Sequence, residues 1–278
     1  PPQAPTPPAA PTITPLPAPA PTTVDLFGQT WDVVATSQII LDGSVLSGLI
    51  PPSSPFTKDI GYLVNLESII IINQPDTWVS TIPEEIGLLG NLTFLIFDAC
   101  PGLGIDSSGT ALSIPKAISA LSGLLFLTIQ ETGFQGEIPR EFGLLTSLIT
   151  LELEFNNLTG SIPAELGNLT TNLQYLFLTG NKLTGEIPRE LGLLTLLDQL
   201  YLGSNRLTGS IPAELGNLTG LRRVLLDDNG LSDSIPEQIG LLTNLQDLRL
   251  SDNKLTGEIP RTLGHLEKLI RLWIDNNQ

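Results

Sequence analysis

Apolar residues in this chain recur in two registers that alternate along its length. Short stretches place leucine at every second position, as in Leu245-Gln-Asp-Leu248-Arg-Leu250, where Leu248 and Leu250 flank Arg249. That period of two predicts a strand with one face buried and the other in solvent. Asn253 follows where the chain must turn inward, Leu255 and Ile259 return to the core, and Pro260 opens a short helical turn. Proline suits a helix start, glutamate suits the first turn and glycine suits the exit. All three features occur in Pro163-Ala-Glu-Leu-Gly167, Pro188-Arg-Glu-Leu-Gly192 and Pro236-Glu-Gln-Ile-Gly240.

The pattern repeats. The dipeptide Ile-Pro starts at Ile50, Ile82, Ile114, Ile138, Ile162, Ile187, Ile211, Ile235 and Ile259, at intervals of 32, 32, 24, 24, 25, 24, 24 and 24 residues. A fixed period in this range means a solenoid, because one such unit cannot bury its own apolar face and must stack on its neighbours. The frame predicts an α/β repeat with about ten parallel strands, and short helical or 3-10 turns opposite them. Leu151, Leu176, Leu200, Val224 and Leu248 should form one stacked column. A second column, at the inward turn, holds Ser44, Gln74, Cys100, Thr132, Asn156, Asn181, Asn205, Asn229, Asn253 and Asn277. Stacked asparagines there can bond backbone groups that successive coils leave unpaired.

Leu-Thr-Gly-x-Ile-Pro-x-x-Leu-Gly-x-Leu, carried over roughly residues 39–278, resembles the plant-specific class of leucine-rich repeats. The resemblance implies a right-handed superhelix with its strands on the concave face. It also implies kinship with receptor ectodomains, secreted hydrolase inhibitors and some ice-binding proteins. The family usually opens with a tryptophan followed by paired cysteines. Here Trp31-Asp-Val-Val echoes the tryptophan, and no cysteine follows, so a disulfide-locked cap is not expected.

The chain divides into three regions. Residues 1–22 hold ten prolines and no charge, a composition that cannot support a packed core, and are expected to be a disordered tail acting as a stalk or spacer. Residues 23–38 should cover the open end of the solenoid, and 39–278 form the repeats. The first interval carries about six extra residues before Asp59–Gly61 and two around Gln74–Thr81; the second carries eight around Pro101–Ala111. Insertions of this kind map to loops on one face. The chain starts at Pro and holds no Met, so a leader or anchor removed upstream is expected. The given sequence ends one residue past the ladder asparagine of its tenth unit, so a C-terminally truncated array is expected. The longest run of isoleucines, Ile69–Ile72, is far shorter than the roughly 20 apolar residues needed to span a membrane. Membrane association is therefore expected only through a segment absent from this chain.

Charge narrows the partners. A formal net charge of −16 argues against nucleic acid or an anionic membrane as the main partner, since both require clustered cations. Residues 1–139 carry 12 acidic and 2 basic side chains against 17 and 11 in the rest, so basic partners should prefer the first half. Catalytic chemistry is not indicated. His265 stands at a variable outer position, Cys100 stands in the ladder column as a buried small thiol, and pairs such as Glu152/Glu154 and Asp227/Asp228 recur on open strands with no pocket. No catalytic, metal or cofactor site is expected.

Surface recognition remains. The outward position between the two strand leucines reads Ile40, Ile70, Ile96, Thr128, Glu152, Phe177, Tyr201, Leu225, Arg249 and Trp273, with Phe94, Phe126, Phe155 and Tyr175 alongside. Aromatic side chains on a rigid open sheet are the type enriched at interface hot spots. The expected ligand-binding set is Phe126, Glu152, Glu154, Phe155, Tyr175, Phe177, Tyr201 and Arg249, with the rings presented to solvent. The expected function is a non-enzymatic extracellular or cell-surface module binding a protein, peptide or glycan. A secreted hydrolase inhibitor and a structural, cell-wall or ice-binding protein are the alternatives, although the outward strand columns hold no threonine ladder. Asn91, Asn157, Asn168 and Asn217 begin glycosylation sequons, which the repeat consensus itself tends to generate, and all four should be exposed.

Overall fold

The computed structural model describes residues 21–44, Ile50 and 55–278. The expected tail thus lies almost wholly outside the described residues, as does much of the first insertion.

Among the described residues, ten strands form one parallel sheet in strict sequence order. They are Gln38–Asp42, Ser68–Ile72, Phe94–Cys100, Phe126–Thr132, Thr150–Glu152, Tyr175–Phe177, Gln199–Tyr201, Arg223–Leu225, Asp247–Arg249 and Arg271–Trp273. Their register is the one the leucine pattern predicts: Leu176 pairs with Leu151 on one side and Leu200 on the other, followed by Val224, Leu248 and Leu272. Leu151, Leu176 and Leu200 are fully buried. Opposite the sheet, 3-10 turns such as Ala164–Asn168, Arg189–Leu193 and Ala213–Asn217 close each coil. The proline stands just outside each turn, and its carbonyl accepts the first bond, as from Leu166 N–H to Pro163 O at 3.1 Å. A fixed φ near −65° presets that geometry without needing the missing N–H.

The inward turn is held by the asparagine column. Asn181 donates from Nδ2 to Leu178 O (3.2 Å) in its own coil and to Leu153 O (2.8 Å) in the coil before, while its Oδ1 accepts Leu158 N–H at 3.0 Å. Asn205, Asn229, Asn253 and Asn277 repeat this arrangement. From Gln74 onward the residue just before each ladder position is left-handed, with φ between 49° and 56° at Asn73, Ala99, Glu131, Phe155, Ser204, Asp228, Asp252 and Asn276, and 71° at Gly180. The turn is therefore one backbone shape imposed in nine successive coils whatever the side chain, at a cost that asparagine and aspartate bear best.

The glycine of the Leu-Gly pair is present for a different reason from the helix exit expected of it. Gly143, Gly167, Gly192, Gly216 and Gly240 do not adopt positive φ. Instead, a Cβ on Gly192 would sit 2.6 Å from the backbone oxygen and the Cβ of Glu214 in the next coil, and the other four meet the next coil at 2.3–2.6 Å. The 3-10 turns mesh this closely only because one side has no side chain.

A second set of short strands, not anticipated from the sequence, runs along the side of the solenoid. Gln135–Glu137 pairs with Asn157–Thr159, and Thr184–Gly185, Arg206–Ser210 and Gly230–Ser232 form a three-stranded parallel sheet. At the N-terminal end, Thr23–Leu26 and Gln29–Asp32 form an antiparallel hairpin. Its Phe27 packs against Phe56 (centroids 5.0 Å apart) and Trp78 (6.2 Å), closing over the first coils. The insertion after Cys100 is partly core: Leu103 is fully buried, while Ile105 and Ala111 bridge across a loop in which Asp106 Oδ1 accepts the N–H groups of Ser108 and Thr110.

Gly192→Ala should destabilise the fold by about 1–3 kcal/mol, because the added methyl has no room. Gly90→Ala, where nothing lies within 4 Å of the new Cβ, should be neutral or stabilising by up to about 1 kcal/mol. Urea unfolding of the two variants reads the contrast, and equal losses would mean the glycine column is not a packing requirement.

Candidate functional site

The outward column occurs in register as expected. Glu152, Phe177, Tyr201, Leu225, Arg249 and Trp273 pair one after another across adjacent strands. Phe177 and Tyr201 stack with centroids 4.5 Å apart at 23°, and Tyr175 leans on Phe177 at 5.9 Å and 51°. The three rings are half-buried against one another, so the expectation of freely presented rings is corrected: they form a fixed shelf with one face open. The Tyr201 hydroxyl donates to Gln199 Oε1 at 2.5 Å and accepts from Arg223 Nη1 at 3.2 Å, which fixes the end of the shelf.

Beside the shelf lies an acidic patch. Glu152 Oε2 accepts the Thr128 hydroxyl at 3.1 Å, and Glu154 follows two residues on, on the same face. Burial pushes the Glu152 carboxyl above its ordinary value; the Thr128 bond opposes this, and the charges of Glu154 and Asp98 add to it. Burial likewise raises Glu154, against hydrogen bonds from Thr179. Among the described residues no lysine or arginine pairs with either. Asp98, which accepts from Gln130 Nε2 at 2.8 Å, completes the patch. It was not among the expected residues because it lies before the insertion, and only the strand register carries it next to Gln130 and toward Glu154.

The remaining expected residues do not join this group. Phe126 stacks on Phe94 (4.9 Å, 3°) and is separated from Tyr175 by Thr150. Phe155 is not on the sheet: it sits in the left-handed turn, 54% exposed, beside a shallow hollow of about 650 Å³ lined also by Pro75, Ala99, Pro101 and Glu131. Arg249 is two strands from Tyr201 and already engaged, with its guanidinium 4.5 Å over the Trp273 ring and 3.2 Å from buried Asp247, which Arg271 also meets at 2.9 Å. Asn91, Asn157 and Asn217 are exposed. Asn168 departs from expectation: it is half-buried, and its Nδ2 is enclosed without a hydrogen-bond partner.

Other chemistry is sparse. Cys100 is buried in the ladder, its thiol pushed by burial up to about 11 and donating to Ile71 O and Asp98 O. His265 is exposed. Among the described residues no cluster of three metal-ligating side chains occurs, and no helix is long and apolar enough to cross a membrane. A groove of about 1100 Å³ runs along the Ile-Pro corners on the side away from the sheet. Its most buried charge, Glu141, is loosely covered by Lys116 at 3.4 Å, with Oε2 unpaired. It gathers no aromatic side chain, and the concave sheet is the better candidate surface.

The family model for the Leucine Rich Repeat matches residues 147–169, 172–194, 196–218 and 244–266. The ten-stranded parallel sheet carries the same coil over the rest of the described array. The chain is built of leucine-rich repeats and folds as a leucine-rich-repeat solenoid. Among solved structures it is similar to the ectodomain of the Arabidopsis receptor kinase HAESA in complex with an extended IDA peptide hormone. That match has 32% identity and a TM-score of 0.67, and it covers 81% of this chain and 40% of the other. It is also similar to the plant peptide hormone receptor RGFR1 in complex with RGF2 (29%, 0.65, 81% and 38%) and to a plant ice-binding protein (28%, 0.61, 76% and 73%). The chain spans less than half the length of those two receptors. No curated protein matches it in sequence.

The raised carboxyls give this repeat array a pH signature. A carboxyl that holds its proton more tightly when folded makes its ionised form costly to the fold; that cost is present at neutral pH and is relieved as pH falls through the raised folded-state value toward the ordinary one of 4.5. Between pH 7 and 5 the wild type should therefore gain more in melting temperature than a Glu152→Gln, Glu154→Gln double variant. Parallel profiles would mean that neither carboxyl is perturbed.

Proposed function

We propose that this leucine-rich-repeat chain is a non-enzymatic extracellular or cell-surface recognition module whose concave sheet binds a basic peptide or protein segment. The observation that carries this is the juxtaposition, across adjacent strands, of two uncompensated half-buried carboxylates with a stacked aromatic shelf. A carboxylate already stripped of part of its water gains most from an incoming cation, and rings with one open face supply apolar contact at small entropic cost. The similarity to receptors solved with peptide hormones supports a peptide partner. The exposed sequons at Asn91, Asn157 and Asn217 support an extracellular setting.

The test is a displayed random-peptide library panned on the full chain and on a Phe177→Ser, Tyr201→Ser double variant. Enriched peptides should be basic and should lose binding to the variant. Since the rings are packed and not merely presented, the variant should also lose about 1–2 kcal/mol of stability, a drop of a few degrees. Peptides that bind both proteins equally would move the site off the shelf, with the hollow beside Phe155 and Pro101 as the next place to look.

A second reading is favoured by a different face and by the likeness to the plant ice-binding protein. Thr159, Thr184, Thr208 and Thr256 occupy one position of successive coils, with Ser232 among them, and the four threonines are exposed. One hydroxyl per coil, about 4.8 Å apart, is a regular array, but Lys182, Arg206 and Lys254 interleave charge with it. On the recognition reading the purified chain gives no thermal hysteresis. Hysteresis abolished by Thr184→Lys and Thr208→Lys would transfer the function to this face.

A further inference from the structure

If the concave face binds a peptide, as proposed for this chain, the spacing of its side chains also selects the backbone conformation of that peptide. Two ring pairs fix the pitch of the face: Phe94 and Phe126 lie 4.9 Å apart, and Phe177 and Tyr201 lie 4.5 Å apart, each pair on adjacent strands. Every second strand therefore presents a side chain about 9.5 Å from the last. A β-strand laid across the sheet repeats its same-face side chains at about 6.7 Å and drifts out of step within one repeat. An α-helix has a pitch of about 5.4 Å and also drifts, turn by turn. A polyproline II helix repeats every three residues, about 9.3 Å, and stays in step along the whole face.

The side chains on alternate strands have the chemistry to use that match. Ile96, Glu152 and Tyr201 stand two strands apart in turn, so the acidic anchor is flanked on both sides by an apolar platform at the same distance. Ile96 lies beside the stacked Phe94 and Phe126, and Tyr201 belongs to the shelf with Phe177. Aromatic-lined surfaces are the usual seat of proline-rich segments, because the ligand's backbone is already ordered and little entropy is lost on docking. A guanidinium reaches Glu152 and Glu154 together, since both carboxylates project from one face of the same stretch.

We propose that the concave face takes a polyproline II segment of a partner protein that carries an arginine with a proline three positions to either side. The arginine sits on Glu152 and Glu154, and the two prolines sit on Ile96 and Tyr201. The motif reads the same in both chain directions, as the symmetrical placement of the platforms requires. The chain's own first 22 residues are proline-rich but uncharged, so they lack the anchor and should not occupy the site.

The experiment uses the full chain and fluorescent twelve-residue peptides containing Pro-x-x-Arg-x-x-Pro. Binding should weaken at least about tenfold when one residue is inserted on either side of the arginine, when the arginine becomes glutamine, or when Glu152→Gln is introduced in a protein whose melting temperature stays within a few degrees. A synthetic peptide of residues 1–22 should fail to compete. Equal binding of correctly and wrongly spaced peptides, or competition by the 1–22 peptide, overturns the inference. If panning of the random-peptide library yields shelf-dependent ligands with neither proline nor this spacing, the inference fails while the concave-face reading stands. If every ligand ignores Phe177→Ser and Tyr201→Ser, both fail.

Discussion

A coil of this solenoid cannot satisfy its own backbone at the inward turn, and the asparagine side chain is what joins one coil to the next there. Asn205 shows the economy of the arrangement: its Nδ2 donates to Leu202 O and Gly203 O in its own coil and to Leu178 O in the previous one, and its Oδ1 accepts the N–H of Leu183. Buried backbone groups left without such partners would each cost about 1–3 kcal/mol. Gln74, one methylene longer, keeps part of the same pattern, accepting Ile50 N–H at 2.9 Å and donating to Ile72 O at 3.1 Å. In the coils from Asn156 onward these bonds tie each inward turn to the coil before it, on a left-handed turn that the earlier coils share.

The first four coils show the alternative. Their ladder positions hold Ser44, Gln74, Cys100 and Thr132, and their strands are five or seven residues long where the asparagine coils have three. Gln74 and Cys100 still join neighbouring coils, Gln74 Oε1 accepting Ile50 N–H and Cys100 Sγ donating to Ile71 O, and the longer backbone pairing, down to that of Cys100 with Thr132, adds to them. The same substitution puts a thiol in an apolar turn, which accounts for the raised Cys100. It also lengthens the concave face at its N-terminal end, where Ile72, Asp98 and Gln130 add a further outward position.

The architecture was legible in the sequence because a fixed period makes every unit testify to the same geometry: Leu176 is placed by Leu151 and Leu200 as much as by its own neighbours. The site was legible only in part. The column Glu152, Phe177, Tyr201 could be named from the period. How deeply the rings pack, the enclosure of Asn168 Nδ2, and the position of Phe155 in the turn depend on three-dimensional contacts that no repeat position encodes. Asp98 was hidden by the insertion next to it. The side strands escaped notice because Thr184–Gly185 and its partners are two to five residues long and rich in glycine, the residue least associated with strands.

The glycine column has a consequence for how such a chain can be altered by recombination. Gly192 is glycine on account of Glu214, and Gly216 on account of Gln238, so each residue is matched to the neighbouring coil and not to its own turn. The atoms met are the backbone oxygen and Cβ, which Glu190, Glu214, Gln238 and Thr262 supply alike, so a coil that keeps its glycine fits against any neighbour of the same pattern. Single coils are therefore interchangeable parts, and a duplication that adds one whole coil preserves a continuous binding face.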